Sequence, residues 1–452
     1  FEYSIEFGFK SIRNSTYYYN FKSILILDIF KKISQNQLFK VTSLSSFSIL
    51  VRLITGFLSS KVIAYFVGPS GMALMGNLRS FTSLLESVGT LGIQNGVLQN
   101  VAKNHQDRVK LNHFVRLIFW TLLFFSLLIS TVLIFGNSYF GKMIFNRQLE
   151  YNFILNFVAF FLPFQVFHLF FITVLNGFSY YKKVTFISIY GYIASLLTSF
   201  IFIWFYGVFG ALVSISITSF LLFLFSSFYF FKEFSFGIIF RKIQIDFSVL
   251  KGLIPFGIMS LFTAVLTPVL YIFIRNLIAK EVSIEASGWF EAMQRISGFY
   301  FMFISTLVSF YFLPELIKTS SEHEKIAITT KFFKQVIPVF LITLIGVYFC
   351  KDFIIKLLLT SDFYQVRELF VWQLVGDFFK AMSLILGIRF YVIKDLKGYL
   401  LTESISFLVF FVASWFWIPI YGAIGAVISY AATYVVYFLA LVVYFRRVIF
   451  KV

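Results

Sequence analysis

The sequence predicts an all-α membrane protein with twelve transmembrane helices in two halves of six. Three observations predict it. Of 452 residues, 59% are hydrophobic and 13% charged, with a mean hydropathy of +0.88, which leaves too little polar surface for a soluble core of that size. Apolar runs recur along the chain, each with the roughly 18 or more residues needed to cross a bilayer. Lysine and arginine are segregated between alternate connections. The roughly ten-residue alternating segments of a transmembrane barrel do not occur.

The expected spans of the first half are 41–67, 73–100, 113–136, 153–176, 184–206 and 208–231. Those of the second half are 252–278, 288–317, 332–350, 366–390, 399–418 and 420–445. The connections are short and punctuated by Gly or Pro, as in VGPSG at 67–71, so no soluble domain fits between them. This organises the chain into an N-terminal interfacial segment (1–40), an N-lobe (41–231), a cytoplasmic amphipathic connection (232–251) and a C-lobe (252–447). The second span of each half is long and polar-dotted, which suggests an internal repeat. Moving Arg79 by the offset between those spans, 288 − 73 = 215, reaches Gln294, beside Arg295.

Net charge is +18, which in a soluble chain would suggest nucleic acid. Here the connections account for most of it. One set carries 24 lysines and arginines, including Lys31, Lys103, Lys182, Arg241, Lys318 and Arg446. The alternate set carries six: Lys142, Arg147, Lys280, Lys351, Lys356 and Arg367. Cytoplasmic loops hold the excess of basic residues, so both termini are expected in the cytoplasm, and no nucleic-acid partner is needed. The 67 phenylalanines accompany abundant Ile, Asn, Lys and Tyr, the pattern of an A/T-rich genome. Cys350 is the sole cysteine, so there is no intrachain disulfide.

Eight cations remain within or at the edges of spans: Arg52, Lys61, Arg79, Arg116, Arg275, Arg295, Lys380 and Arg389. A charge near the bilayer centre costs at least ~2.5–3.5 kcal/mol, which is tolerable in a wet cavity or a pair. Lys61, Arg116, Arg275 and Arg389 lie within about two turns of a span end, close enough to snorkel. Asp377 and Lys380 are three apart and Glu291 and Arg295 four apart, so each couple shares a helix face and is expected to pair. Arg79 and Glu86 share a face two turns apart, and Arg52 has no local acid. The surplus is positive, so the cavity is expected to hold an anion. Guanidinium matches phosphate or pyrophosphate oxygens in a bidentate way, whereas a cavity for cationic drugs would present acids. Pro255 and Pro268 fall in one span, a candidate hinge or a static kink.

Enzyme signals are weak. GNSYFGKM at 136–143 has Met143 where a phosphate loop requires Ser or Thr, and no βα context. His105, His113, His168 and His323 are scattered without metal-ligand spacing. No catalytic, metal or nucleotide-cofactor site is expected.

Several ordered segments add a family likeness: VGPSGMALMGNLRSFTSLLESVGTLGIQNGVLQNVAK (67–103), TPVLYIFIRNLIA (267–279), GWFEAMQRISGFY (288–300), FLPEL (312–316) and ELFVWQLVGDFFKAM (368–382). Together they resemble the O-antigen and lipid-linked oligosaccharide flippases. These belong to the polysaccharide-transporter branch of the multidrug/oligosaccharidyl-lipid/polysaccharide exporter superfamily. The likeness covers about 41–447 and is strongest toward flippases of the enterobacterial common antigen type. It implies two six-helix bundles around a V-shaped central cleft, as in multidrug (MATE) exporters. It also implies alternating access and a polyprenyl pyrophosphate-linked repeat unit moved from the cytoplasmic to the periplasmic leaflet of the bacterial inner membrane. Arg52, Arg79, Arg275 and Arg295 are the positions that could hold the pyrophosphate. Asp377, Lys380, Glu86 and Glu291 are the candidate coupling and ion-pair residues, served by an H+ or Na+ gradient or by the membrane potential. A polysaccharide polymerase and a chain-length regulator are the protein partners this reading expects. Where relatives often carry an acid after the Ile-Ser of the eighth span, this chain has Gly298. Rival readings are a multidrug antiporter of the same superfamily and a non-transporting scaffold of an export complex.

Overall fold

A computed structural model of the chain describes residues 37–446 except 105, 146–147, 235–246 and 320. The expected interfacial segment up to residue 36 and the middle of the 232–251 connection lie outside the described residues.

Among the described residues the regular structure is helical. The first half contains α1 (Gln37–Phe66), α2 (Gly68–Gly89), α3 (Gln94–Asn104), α4 (Arg108–Phe135), the short α5 (Asn137–Ile144), α6 (Ile154–Gly177) and α7 (Tyr181–Glu233). The second contains α8 (Phe247–Glu281), α9 (Ile284–Leu307), the short α10 (Leu313–Lys318), α11 (Glu322–Phe349), α12 (Lys351–Leu358), α13 (Val366–Ile393), α14 (Leu396–Tyr421) and α15 (Ala423–Tyr444). A π turn, Val308–Phe312, joins α9 to α10. Among the described residues nine helices are long and apolar enough to cross a membrane. Three differences separate that number from the expected twelve: α2 and α9 are not among the nine, and α7 merges two expected spans. The expected second span is interrupted by a turn at 90–93 before α3, whereas the expected eighth continues from α9 through the π-helical segment into α10.

Local chemistry sets the helix ends. Asp107, Ser283 and Asp395 cap α4, α9 and α14, each side chain accepting a backbone N–H three residues on. Asp395 also accepts the Tyr444 hydroxyl, and these bonds hold its carboxyl below the usual carboxylate range. Pro69 begins α2, where a missing N–H costs nothing. Helix α8 continues through Pro255 and Pro268 as one helical segment.

The internal repeat has a backbone signature. Gly207 breaks α7 at φ 54° and ψ −130°, and Gly422 separates α14 from α15 at φ 60° and ψ −136°. The two are 422 − 207 = 215 positions apart, the offset that relates the second spans of the halves. Three residues on, Gly210 and Gly425 leave no room for a Cβ: one would lie 1.8 Å from the Phe202 carbonyl oxygen, the other 2.2 Å from that of Trp417. A left-handed glycine and a close-packed glycine therefore recur at one spacing, making the same helix–helix corner in each half.

In the first half α7 packs on α1 and α6, and α6 on α4 and α3. In the second, α13 and α14 pack on α15, α14 on α8, and α11 on α13. Helix α2 crosses over to pack on α8 and α9 of the second half. Much of the phenylalanine fills the first half, where Phe171 stacks on Phe230 at 4.1 Å and Phe119 on Phe167 at 4.4 Å. Outward, Phe135, Phe205 and Phe349 are largely exposed, as lipid-facing side chains are.

The candidate cleft site

The two halves meet along α2. Gly288 admits the chain so closely that a Cβ there would stand 1.9 Å from the Pro69 carbonyl oxygen. Around this contact Ser70 Oγ donates to Glu285 Oε1 at 2.8 Å, and Asn77 Nδ2 donates to Asn276 Oδ1 at 2.8 Å. Lys61 Nζ donates to the Lys356 and Leu359 carbonyls at 2.8 and 2.5 Å, ending α12 with a cation from α1 rather than snorkelling. These bonds gather toward the end of the molecule that carries the α1–α2 turn.

Deeper in, a cavity of about 470 Å³ lies between the halves, lined by Arg52, Arg79, Tyr192, Arg295, Gly298 and Phe299, among others. Arg79 and Arg295 each sit eleven residues into their helices, at matching depths of about 16 Å from the sealed end. Arg52 on α1 lies 5.8 Å over the Tyr192 ring and is exposed to the cavity. The Arg79 guanidinium makes no hydrogen bond or ion pair among the described residues; only its backbone carbonyl accepts, from Thr82. Arg295 has one long contact, Nε to Glu291 Oε1 at 3.9 Å, and its buried Nη1 has no partner among the described residues. Three cations from three helices thus share one cavity, against half a share of one carboxylate. Gly298 supplies room, with nothing within 4 Å of where its Cβ would be. Ser59, Ser60 and Thr55 add hydroxyls.

Arg275 is not part of that lining. Its Nη1 donates to Glu291 Oε2 at 2.8 Å, its Nε to Asn77 Oδ1 at 2.8 Å, and its Nη2 to the Gly76 carbonyl at 3.0 Å and to Ser80 Oγ. The guanidinium is fully engaged in tying α8 and α9 to α2. Glu291 consequently belongs first to Arg275 and only secondarily to Arg295, its expected partner.

The expected Asp377–Lys380 pair does not form. Asp377 is fully buried and accepts from Ser297 at 2.8 Å, Tyr300 at 2.5 Å, Tyr430 at 2.8 Å and Gln373 at 3.3 Å. Hydroxyls on α9 and α15 reach its oxygens and satisfy them, so the carboxylate has no need of Lys380. Lys380 instead points onto rings, 4.5 Å over Phe301 and 5.5 Å over Tyr434. Glu86 accepts from Gln165 Nε2 on α6 and does not pair with Arg79. Arg389 is buried and pairs with Glu322 at 3.1 Å.

Asn77, Ser80, Gln373, Tyr300 and Tyr430 are site residues that spacing alone did not single out. Neutral polar groups inside a span carry no charge anomaly, and their partners lie on helices far away in sequence.

A family model of polysaccharide biosynthesis proteins matches residues 62–368, about two-thirds of the chain. Among curated proteins, the lipid III flippases of Escherichia coli (strain K12) and Shigella flexneri are each 29% identical over 391 residues, 86% of this chain and 94% of theirs. Among solved structures, the lipid II flippase MurJ in an inward closed conformation is similar with a TM-score of 0.71 at 16% identity, covering 90% of this chain and 87% of that one. A multidrug resistance MATE family transporter in its inward-facing conformation gives 0.68 at 14% identity, covering 89% of this chain and 99% of that one. An outward-facing conformation of such a transporter gives 0.56, again at 14% identity, covering 89% and 95%. At those identities the structural likeness establishes the fold: an all-helical transporter architecture of two bundles about a cleft.

Proposed function

The chain belongs to the polysaccharide biosynthesis protein family, and from that footing we propose that it is a flippase for polyprenyl pyrophosphate-linked oligosaccharides. The observation that carries this reading is the cavity between the halves, where Arg52, Arg79 and Arg295 converge with little carboxylate to neutralise them. A dianionic head group supplies what the cavity lacks. Guanidinium–phosphate contacts are charge-assisted and bidentate, and each contributes roughly 1.5–3 kcal/mol. The flippase names of the relatives support the same cargo class, and they are names of transporters rather than enzymes.

The charge asymmetry of the connections supports an inner-membrane protein with both termini in the cytoplasm. In that orientation the seal at the α1–α2 turn faces the periplasm, and the cavity is an inward-directed one. The better match to the inward-facing than to the outward-facing transporter form agrees with this. The pyrophosphate then enters from the cytoplasmic side and rests between Arg79 of one half and Arg295 of the other. Breaking the seal at Arg275, Asn77 and Glu285 lets the halves rock and opens the cavity outward. Energy from an H+ or Na+ gradient or the membrane potential would drive the cycle, and Pro255 and Pro268 give α8 positions at which to bend. A polysaccharide polymerase and a chain-length regulator would act on the delivered repeat unit.

The direct test is titration of the purified protein with inorganic pyrophosphate, followed by thermal melting. Saturable stabilisation that disappears in Arg79→Ala and Arg295→Ala, with pyrophosphate favoured over sulfate, is the expected outcome. Equal stabilisation of wild type and both variants would remove the basis of this reading.

A further inference from the structure

A second cavity lies wholly within the second half, on the far side of α9 from the arginines. Its volume is about 270 Å³, and its walls come from α8, α9, α13, α14 and α15. Helix α9 is the shared partition: Gly298, Phe299 and Met302 face the arginine cavity, whereas Phe301 faces this one. We propose that this cavity is a sugar subsite, which takes a pyranose ring bearing an acidic substituent with that acid against Lys380. The proposal rests on the flippase reading above, since the ring would belong to the same lipid-linked cargo.

The lining suits a sugar in three ways. Tyr271, Tyr391, Tyr399, Tyr434 and Tyr437 surround the space, and aromatic faces pack against the C–H faces of a pyranose while their hydroxyls can donate or accept. Hydrogen-bonding capacity is already arranged but incompletely used. Ser383 is 1% exposed and its Oγ has no partner among the described residues, and Glu403 is held in place by the Tyr437 hydroxyl at 2.6 Å with its other oxygen available. Buried polar groups left this way favour a ligand that completes them. Third, the Lys380 ammonium lies over Phe301, Tyr430 and Tyr434 at 4.5–5.6 Å and has no carboxylate within salt-bridge distance among the described residues. A carboxylate on the ligand provides one.

Other occupants fit less well. A bare metal cation needs about six oxygens at roughly 2.3–2.6 Å, and would share a small space with the Lys380 charge. A cationic drug meets the same repulsion, and the cavity is below the roughly 300–1,000 Å³ of drug pockets. Pyrophosphate finds three guanidiniums next door and a single ammonium here.

The experiment uses the full chain in nanodiscs and saturation-transfer NMR with methyl glucuronide and methyl glucoside at millimolar concentration. The expected result is a saturable signal at least fivefold stronger for the glucuronide, reduced to the glucoside level by Lys380→Met and restored by Lys380→Arg. Pyrophosphate should stabilise wild type and Lys380→Met alike and should not displace the glucuronide. Equal signals from the two sugars, or a preference that survives Lys380→Met, overturns the proposal. So does displacement by pyrophosphate, which would put the sugar in the arginine cavity. A sodium- or proton-dependent stabilisation abolished by Glu403→Gln, with no glucuronide signal, would make this a cation site instead. If pyrophosphate fails to bind while the glucuronide preference holds, the flippase reading falls and the sugar subsite stands.

Discussion

Arg275 Nη1 lies 2.8 Å from Glu291 Oε2, and the other oxygen of that carboxylate is 3.9 Å from Arg295 Nε. One acid is therefore shared between the seal that joins the halves and the arginine cavity proposed to receive the cargo. An anion arriving at Arg295 competes with Glu291 for that guanidinium. The carboxylate is then left to Arg275 alone, so the state of the cavity is felt at the seal. Glu291→Gln should loosen the seal by removing the α9 charge that orients the Arg275 guanidinium toward Asn77, Gly76 and Ser80 on α2. The readout is cross-linking of Ser70→Cys to Glu285→Cys in a Cys350→Ser background, with a short thiol-reactive linker. Yield should fall several-fold in Glu291→Gln, and the cross-link itself should stop export until it is cleaved. Unchanged yield would mean that Glu291 contributes nothing to closure.

Arg79 and Arg295 stand at equal depth on α2 and α9 and contribute from opposite halves. Replacing either with Ala should weaken pyrophosphate binding about 10- to 100-fold, which corresponds to the ~1.5–3 kcal/mol of a charge-assisted contact. Lysine should rescue poorly, because it cannot reproduce the planar fork. Isothermal titration at two salt concentrations checks both points, and full rescue by Lys would show that charge alone suffices there.

Asp377 has a different task from the one its neighbour at i+3 suggests. Four donors from α9, α13 and α15 converge on a fully buried carboxylate, which pins three helices of the second half together. Asp377→Ala strands those donors, and the cost should be on the order of 3 kcal/mol or more. A lower melting temperature and poor yield of folded protein are expected. Lys380→Met should leave the melting temperature nearly unchanged, since the ammonium supports no ion pair. Comparable melting of both variants with wild type would contradict the locking role of Asp377.

The sequence displayed the membrane class, the halves and the arginine surplus because each leaves a local mark. Hydropathy marks a span, a loop count marks a side, and a cation in hydrocarbon is conspicuous on its own. Partner choice left no such mark. Lys380 and Asp377 share a helix face, yet hydroxyls on α9 and α15 outcompete the i+3 lysine. Arg275 resembled the other arginines in its span, but Asn77 and Glu291 on two other helices claim it. The repeat was faintly visible as an offset between polar spans. Its firmest evidence, positive φ at Gly207 and Gly422, is a backbone property that a glycine in a sequence only permits. Glu403 was a charge in an apolar span and could have been singled out by the reasoning applied to the arginines.

Gly298 tests whether the cavity's sign, rather than its shape, governs binding. A Cβ at this position meets nothing within 4 Å, so Gly298→Ala should fold, bind pyrophosphate and export normally, apart from a small gain in helix stability of about 1 kcal/mol. Gly298→Glu extends from the same open position into the cavity and puts a carboxylate among Arg52, Arg79 and Arg295. It should give those guanidiniums the partner they lack, raising the melting temperature while cutting pyrophosphate affinity by tenfold or more. Gly298→Gln, equal in size and neutral, separates charge from bulk: it should lie near the Ala variant in affinity. If Gln impairs binding as much as Glu does, the cavity selects by volume, and the electrostatic account of cargo recognition fails.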